Sequence, residues 1–119
     1  MQKIIIHEIP PSNNKFIGRN AAWKYREEKK RWEWLVTAAI GSNKPKKPFA
    51  KAVVKITYYF QNHIRRDPDN YSGKMILDPL VRRGVLADDS FNHITLELAG
   101  RYDKENPRIE VEINEAPNL

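Results

Sequence analysis

The chain has 119 residues, no cysteine, and 21 Lys plus Arg against 15 Asp plus Glu, a formal charge of +6. Disulfides, thiolate chemistry and cysteine-based zinc sites are thereby excluded, and the cationic excess favours a polyanionic partner, DNA or RNA before an anionic membrane. After Met1-Gln2-Lys3 the apolar run Ile4-Ile5-Ile6 stops at His7-Glu8, too short for a signal sequence or a span, so a cytoplasmic protein is expected.

One domain over residues 1–119 is expected, large enough for a core without metal or disulfide staples. Ile4 to Ile9 reads as a β-branched strand stopped by Pro10-Pro11, and Ser12-Asn13-Asn14 as a turn. A helix is predicted from Arg19 or Asn20 to Ile40, with Gly41 as its end signal. Tyr25, Trp32, Leu35, Val36 and Ala39 share one face and should pack on a sheet. Trp23 and Trp34, eleven apart, fall on roughly the opposite face. They are expected at the margin of the core, with a subunit contact or a DNA-stacking pair as alternatives. Charge is sorted along the chain: residues 15–34 hold seven basic and three acidic residues, while 103–115 hold five acidic and two basic.

Ser42 to Pro48 is a basic, proline-broken loop, and Ala50 to Phe60 is the strongest predicted strand. A loop follows over 61–69. Asn70 to about Arg83 is predicted as a second helix with Ile76, Leu77, Leu80 and Val81 buried and Gly84 as its cap. Pro79 inside it predicts a kink or a restart with Asp78 as N-cap. Strands near His93–Arg101 and Arg108–Asn114 complete the chain, the second alternating Ile109, Val111, Ile113 against Glu110, Glu112, Asn114. The order β-α-β-α-β-β predicts a two-layer α/β (α+β) fold, a mixed sheet against two helices.

The chemistry concentrates in Arg65-Arg66-Asp67-Pro68-Asp69-Asn70, answered later by Asp88-Asp89. In an extended segment Asp67 and Asp69, at i and i+2, point the same way, and Asp88 or Asp89 returns after the second helix to close the site. Three carboxylates between arginines suit magnesium, a hard cation that keeps several waters, acting on a phosphodiester. Lys74 can lie over the same spot to stabilise developing negative charge, and Asp78, at i+4, can hold its ammonium. The plainer alternative is that these acids cap a loop, since Asp-Pro-Asp-Asn is a good turn sequence. A calcium loop is ruled out, because Tyr71 and Ser72 stand where an oxygen ligand and a glycine are needed. His7, His63 and His93 have no metal-ligand spacing and read as strand or loop residues.

Arg66-Asp67-Pro68-Asp69-Asn70, then Lys74, Asp78, Leu80, Gly84, Val85 and Asp88-Asp89, resemble the signature of the RusA family of Holliday junction resolvases. Pro10-Pro11-Ser12-Asn13-Asn14 looks like that family's N-terminal Pro-Pro-Ser-x-Asn element. The resemblance covers essentially the whole chain and implies a RusA-like endonuclease fold. It implies that Asp67 and Asp69 are paired metal-binding aspartates, Asp89 the third catalytic acid with Asp88 beside it, and Lys74 the essential helix lysine. Arg66 matches the basic residue before the first Asp, and DNA contacts from Arg65, Arg66, Asn70, Asn14 and Lys15 are expected. Tyr71-Ser72-Gly73 is one residue longer than the family pattern, which would turn Lys74 by about 100° within a regular helix; Gly73 points to a looser first turn.

By the same resemblance the chain is expected to be a crossover junction endodeoxyribonuclease using Mg²⁺, or Mn²⁺ in its place, and acting as a homodimer on four-way DNA junctions. A twofold dimer supplies two acidic clusters with the symmetry of the two strands cut. Family members are often carried by phages and prophages, which points to a bacterial or phage source. Two alternatives stand beside this: another Mg-dependent nuclease on branched or flap DNA, and a non-catalytic DNA-binding protein of the same fold.

Overall fold

The computed structural model describes residues 1–117. Strand β1 (Gln2–Ile6) leads through a 3-10 turn (Asn13–Phe16) to helix α1 (Ala21–Ile40) and strand β2 (Ala52–Phe60). A second 3-10 turn (Pro68–Asn70) precedes helix α2 (Lys74–Arg82), and strands β3 (Ile94–Tyr102) and β4 (Arg108–Glu115) follow. The expected β-α-β-α-β-β order is therefore present. The four strands form one sheet in the order β1-β4-β2-β3, with β2 and β3 parallel and the other pairings antiparallel.

Alternation in the strands decides where the core lies. Ile4 and Ile6 of β1, Ala52, Val54, Ile56 and Tyr58 of β2, and Ile109, Val111 and Ile113 of β4 are all buried on one face. The register places Ile4 and Ile56 on either side of Val111, so the apolar rows continue across three strands. The helices cover that face: α1 buries Trp32, Val36 and Ile40, and α2 buries Met75, Ile76, Leu77, Pro79 and Leu80. Arg82 and Arg83 near the end of α2 reach Glu33 of α1 at 2.8 and 3.3 Å, and Arg83 also donates to Thr37 Oγ1 at 3.0 Å. These contacts tie the C-terminal end of α2 to α1.

Apart from β1, which ends at Ile6 rather than Ile9, two expectations need correction. Helix α2 starts at Lys74 rather than Asn70, and it continues through Pro79 without a restart at Asp78. Gly73 is the reason. It takes a left-handed conformation (φ 81°), and its carbonyl accepts from the amides of Ile76 and Leu77. A Cβ at Gly73 would lie 2.5 Å from Ile56 Cδ1, so a larger residue there would require that buried side chain to shift as well as a left-handed backbone. The residue that lengthens the family pattern therefore lies before the helix. The second correction concerns Trp23 and Trp34, which are 58 % and 77 % exposed and so are not the margin of the core. Their face is directed away from both the sheet and α2, because the stripe of Trp32, Val36 and Ile40 occupies the inner side.

Candidate active site

The loop after β2 folds back over the sheet on an aromatic platform. Tyr58 and Phe60 stack at 5.8 Å, and Tyr71 meets both edge-on at 5.6 and 5.2 Å. Burial first, and then the neighbouring Tyr71, push the Tyr58 hydroxyl well above the ordinary phenol range, while a backbone contact at Gly73 pulls weakly the other way. That hydroxyl therefore stays neutral and is excluded as a base near neutral pH. Arg66 lies over the Phe60 ring at 4.3 Å and donates to the carbonyls of Asn62 and Ile64 and to Asn62 Oδ1, at 3.3, 3.0 and 2.8 Å. It ties the loop together from within. Arg65 instead extends into solvent, its side chain 90 % exposed, with one contact from Nε to Asp67 Oδ1 at 3.3 Å.

Two motifs far apart in sequence meet here. Asn13 Nδ2 donates to the carbonyl oxygen of Asp69 at 3.1 Å and to Ser72 Oγ at 3.3 Å, pinning the N-terminal turn to the acidic turn. Ser12 closes its own turn by accepting from the amide of Asn14 at 3.3 Å. A cleft results, lined by Ser12, Asn14, Arg65, Arg66, Asp67 and Asn70 among others. Four of the five expected DNA contacts thus share one surface with the first aspartate. The fifth, Lys15, lies round the corner in a groove with Trp23 and Glu27. Lys74 lines a neighbouring depression with Pro10, Asn13 and Asn70, its ammonium 5.7 Å from the Tyr25 ring.

The acids are not gathered as linear spacing suggested. Asp67 is extended (φ −107°, ψ 142°), but Pro68–Asn70 form a 3-10 turn. Asp69 therefore leaves the backbone in a different direction from Asp67, because the same-side rule holds only in extended chain. Asp67 stands over Leu98, Ala99 and Gly100 of β3, whereas Asp88 and Asp89 belong to the loop before Ile94. Ile94 and Leu98 are four residues apart, about 13 Å along a strand. Among the described residues no three acidic or histidine side chains are grouped to hold a metal ion. Asp88 lies 3.5 Å from His93 Nδ1, which also pairs with Ser90 Oγ at 2.7 Å. Asp69 and Asp89 carry no ion pair among the described residues. Asp78 is half-buried on α2, one turn beyond Lys74.

The model of the family described as Endodeoxyribonuclease RusA matches residues 8–114. The chain belongs to the RusA family. RusA proteins are endodeoxyribonucleases, crossover junction resolvases of DNA recombination, and are generally dependent on a divalent metal. The four-stranded mixed sheet with two helices agrees with that fold. No curated protein matches the chain.

Sequence reasoning placed Asn13 in a turn but missed its bridge to the acidic turn, and it missed Asn62 and the Phe60–Tyr71 platform. The Asn62–Arg66 contact could have been suspected from its i,i+4 spacing. The Asn13 link spans 56 residues and leaves no local signal.

Proposed function

We propose that this RusA protein is a Mg²⁺-dependent, structure-specific endonuclease of the bacterial or phage cytoplasm, resolving four-way DNA junctions by paired symmetric nicks delivered by a homodimer. The observation that carries the reading is the cleft where Asn13 pins the Asp69 turn, and where Ser12, Asn14, Arg65, Arg66, Asp67 and Asn70 share one surface. A carboxylate suited to a hard cation, Asp67, lies there beside donors suited to phosphate oxygens, which is the mixture that phosphodiester hydrolysis needs.

The donor chemistry suits the metal, although the three carboxylates are not gathered at one point in this structure. Asp67 is held only by an exposed guanidinium, Asp69 and Asp89 are unpaired among the described residues, and oxygen ligands suit magnesium or manganese. Asp67, Asp69 and, once its loop approaches the cleft, Asp89 would hold the ion, which when bound would neutralise charge at the scissile phosphate and acidify a water. The remaining groups act through their own chemistry. Arg65, free to swing, takes a phosphate oxygen; Arg66, fixed by Asn62 and Phe60, keeps the loop in place and lends positive potential. Lys74 stabilises negative charge as it develops; its ammonium lies by the Tyr25 ring and makes no ion pair with Asp78 among the described residues, so Asp78 would restrain it only after a change of rotamer. Asp88, beside His93, supports the loop that carries Asp89. Asn14, Asn70 and Lys15 position the backbone of the DNA without reading its sequence.

The test is cleavage of a synthetic four-way junction beside matched linear, flap and Y-shaped DNA, with Mg²⁺ and with EDTA. Paired nicks in the junction alone, dependent on metal, are expected. Equal cutting of flaps would reassign the protein to general branched-DNA cleavage, and tight binding with no cutting in any metal would leave a binding protein on this fold.

A further inference from the structure

The outer face of α1 carries a pattern that the nuclease site does not use. Trp23, Glu27, Lys30 and Trp34 are all exposed, Trp34 by 77 %. At about 100° per residue they fall within about 60° of one another, and the two indoles stand about 16 Å apart along the axis. The order is apolar, acidic, basic, apolar, and it is symmetric about the point between Glu28 and Lys29. Trp23 and Trp34 are equidistant from that point, and so are Glu27 and Lys30. A helix laid antiparallel on a copy of itself across a twofold axis there would set Trp23 against the partner's Trp34 and Glu27 against the partner's Lys30. That is the self-complementarity an isologous contact requires, and a random solvated face has no reason to possess it.

We infer that this face of α1 is where a second copy of the chain docks, with Trp23 and Trp34 as its anchors; the inference rests on the homodimer reading above and gives it a surface. Indoles that reach a desolvated centre are the side chains that most often dominate interface energies. Ile17, just before the helix and 77 % exposed, extends the apolar area. DNA is the other occupant that stacks on exposed tryptophan, but it is attracted by net positive charge. Exposed Lys24, Arg26 and Arg31 flank the stripe, but its middle pairs one acid with one base, and Glu27 would face a phosphate backbone with like charge. A second protein copy satisfies both charges at once. The cleft at Asp67 is lined by no residue of α1 and stays open when this face is covered, while Trp23 and Glu27 border the groove of Asn14 and Lys15, so the second copy would sit beside those DNA contacts.

Sedimentation velocity of the full chain across concentration tests this, with and without junction DNA. Wild type is expected to dimerise, and Trp34→Glu to be monomeric with an unchanged circular dichroism spectrum. Glu27→Lys alone and Lys30→Glu alone should each weaken the dimer by about tenfold, because each places two like-charged pairs across the twofold. The double swap E27K/K30E should restore it, and so should mixing the two single variants. A dimer indifferent to all these changes overturns the surface and leaves the dimer reading standing, whereas a wild-type monomer under every condition overturns both. Loss of junction binding in Trp34→Glu with the dimer intact would assign the face to DNA and overturn the inference.

Discussion

Acidic side chains meet two opposite fates in this protein. On the helix-free face of the sheet, Arg108 donates to Asp103 at 2.8 Å and to Glu110 at 2.7 Å, lies 3.8 Å over the Tyr59 ring, and Lys3 adds a contact to Glu110 at 3.0 Å. Each of these carboxylates is answered by a cation held in place on a strand or in a short turn. At the cleft Asp67 has one exposed arginine at 3.3 Å; in the loop before β3 Asp88 has one histidine at 3.5 Å; and Asp69 and Asp89 have no ion pair among the described residues. The same chemistry that completes a surface in one place is left incomplete in the other. A carboxylate satisfied inside the fold contributes to folding; one left unsatisfied is available to a ligand, and that difference separates structure from site.

The sharpest way to break this comparison is to neutralise one acid from each region. Asp67→Asn, Asp69→Asn and Asp89→Asn should each abolish Mg²⁺-dependent cutting, by about a thousandfold or more, since a lost metal ligand removes several kcal/mol of transition-state stabilisation. Junction binding, measured in Ca²⁺, should stay near wild type, because affinity comes chiefly from phosphate contacts of Lys and Arg. Arg108→Ala should do the reverse, lowering the melting temperature while leaving the rate per folded molecule unchanged. Any acid variant that still cuts near the wild-type rate removes that residue from the site.

A smaller effect sharpens the part played by backbone. Gly73→Ala forces a left-handed residue and a 2.5 Å approach to Ile56 Cδ1, so a loss of about 1–3 kcal/mol in folding free energy is expected. Cutting should fall with it, because Gly73 sets where Lys74 begins α2. Gly18→Ala provides the control. It is also left-handed (φ 103°) but has nothing within 4 Å of the added carbon, so chemical denaturation should give the smaller loss. Equal losses would mean that the close approach to Ile56 relaxes freely.

What was legible in the sequence was whatever repeats locally. Ile109, Val111 and Ile113 alternate because one face of β4 is buried, and Trp32 and Val36 fall on one helix stripe because α1 lies on a sheet, so strands, helices and their order followed from periodicity. The start of α2 did not follow, because Asn70 to Ser72 are compatible with helix and only the packing of Gly73 against Ile56 stops them. Exposure of Trp23 and Trp34 did not follow either, since a tryptophan's hydrophobicity carries no information about what covers it. At the site, spacing picked out the residues and missed their arrangement. The extended-chain rule failed at the turn begun by Pro68, and the meeting of Asn13 with Asp69 depends on how two distant loops cross the same end of the sheet.

Affinity offers a finer contrast within the cleft itself. Arg65 is solvent-facing, whereas Arg66 is tied to Asn62 and Phe60. Arg65→Ala should therefore lower the slope of log affinity against log salt by about 0.9, the loss of one phosphate contact, with little change in melting temperature. Arg66→Ala should flatten the slope as well, but it should also loosen the 61–66 loop, read as faster amide exchange there. Unchanged salt dependence in both variants would separate this loop from the DNA.

The smallest effect concerns the satisfied acids and pH. Hydrogen bonding from Arg108 holds Asp103 below its ordinary value, helped by the amides of Asn106 and Glu105 and opposed by slight burial. For Glu110 burial is the largest influence and acts upward, but the hydrogen bonds from Arg108 and Lys3 outweigh it and the net direction is down. Both groups therefore bind protons less readily in the folded chain than in the unfolded one. Their stabilisation is complete above the unfolded-state values near about pH 4 and is lost as pH falls through the lower folded-state values. Stability should be level with respect to these groups from neutral pH down to about 5, then decline on further acidification. Arg108→Ala removes the main downward influence on both, so its melting temperature should start lower and fall less between pH 5 and pH 2.5, values chosen to bracket about one unit above and below the carboxylate range. Asp103→Asn should remove only part of that acid-side decline, because Glu110 retains Arg108 and Lys3. Thermal melts of the three proteins across this range in low salt decide the matter. Parallel curves would show that the ion pairs around Arg108 are as slack as those at the cleft, and the contrast between the two regions would then rest on distance alone.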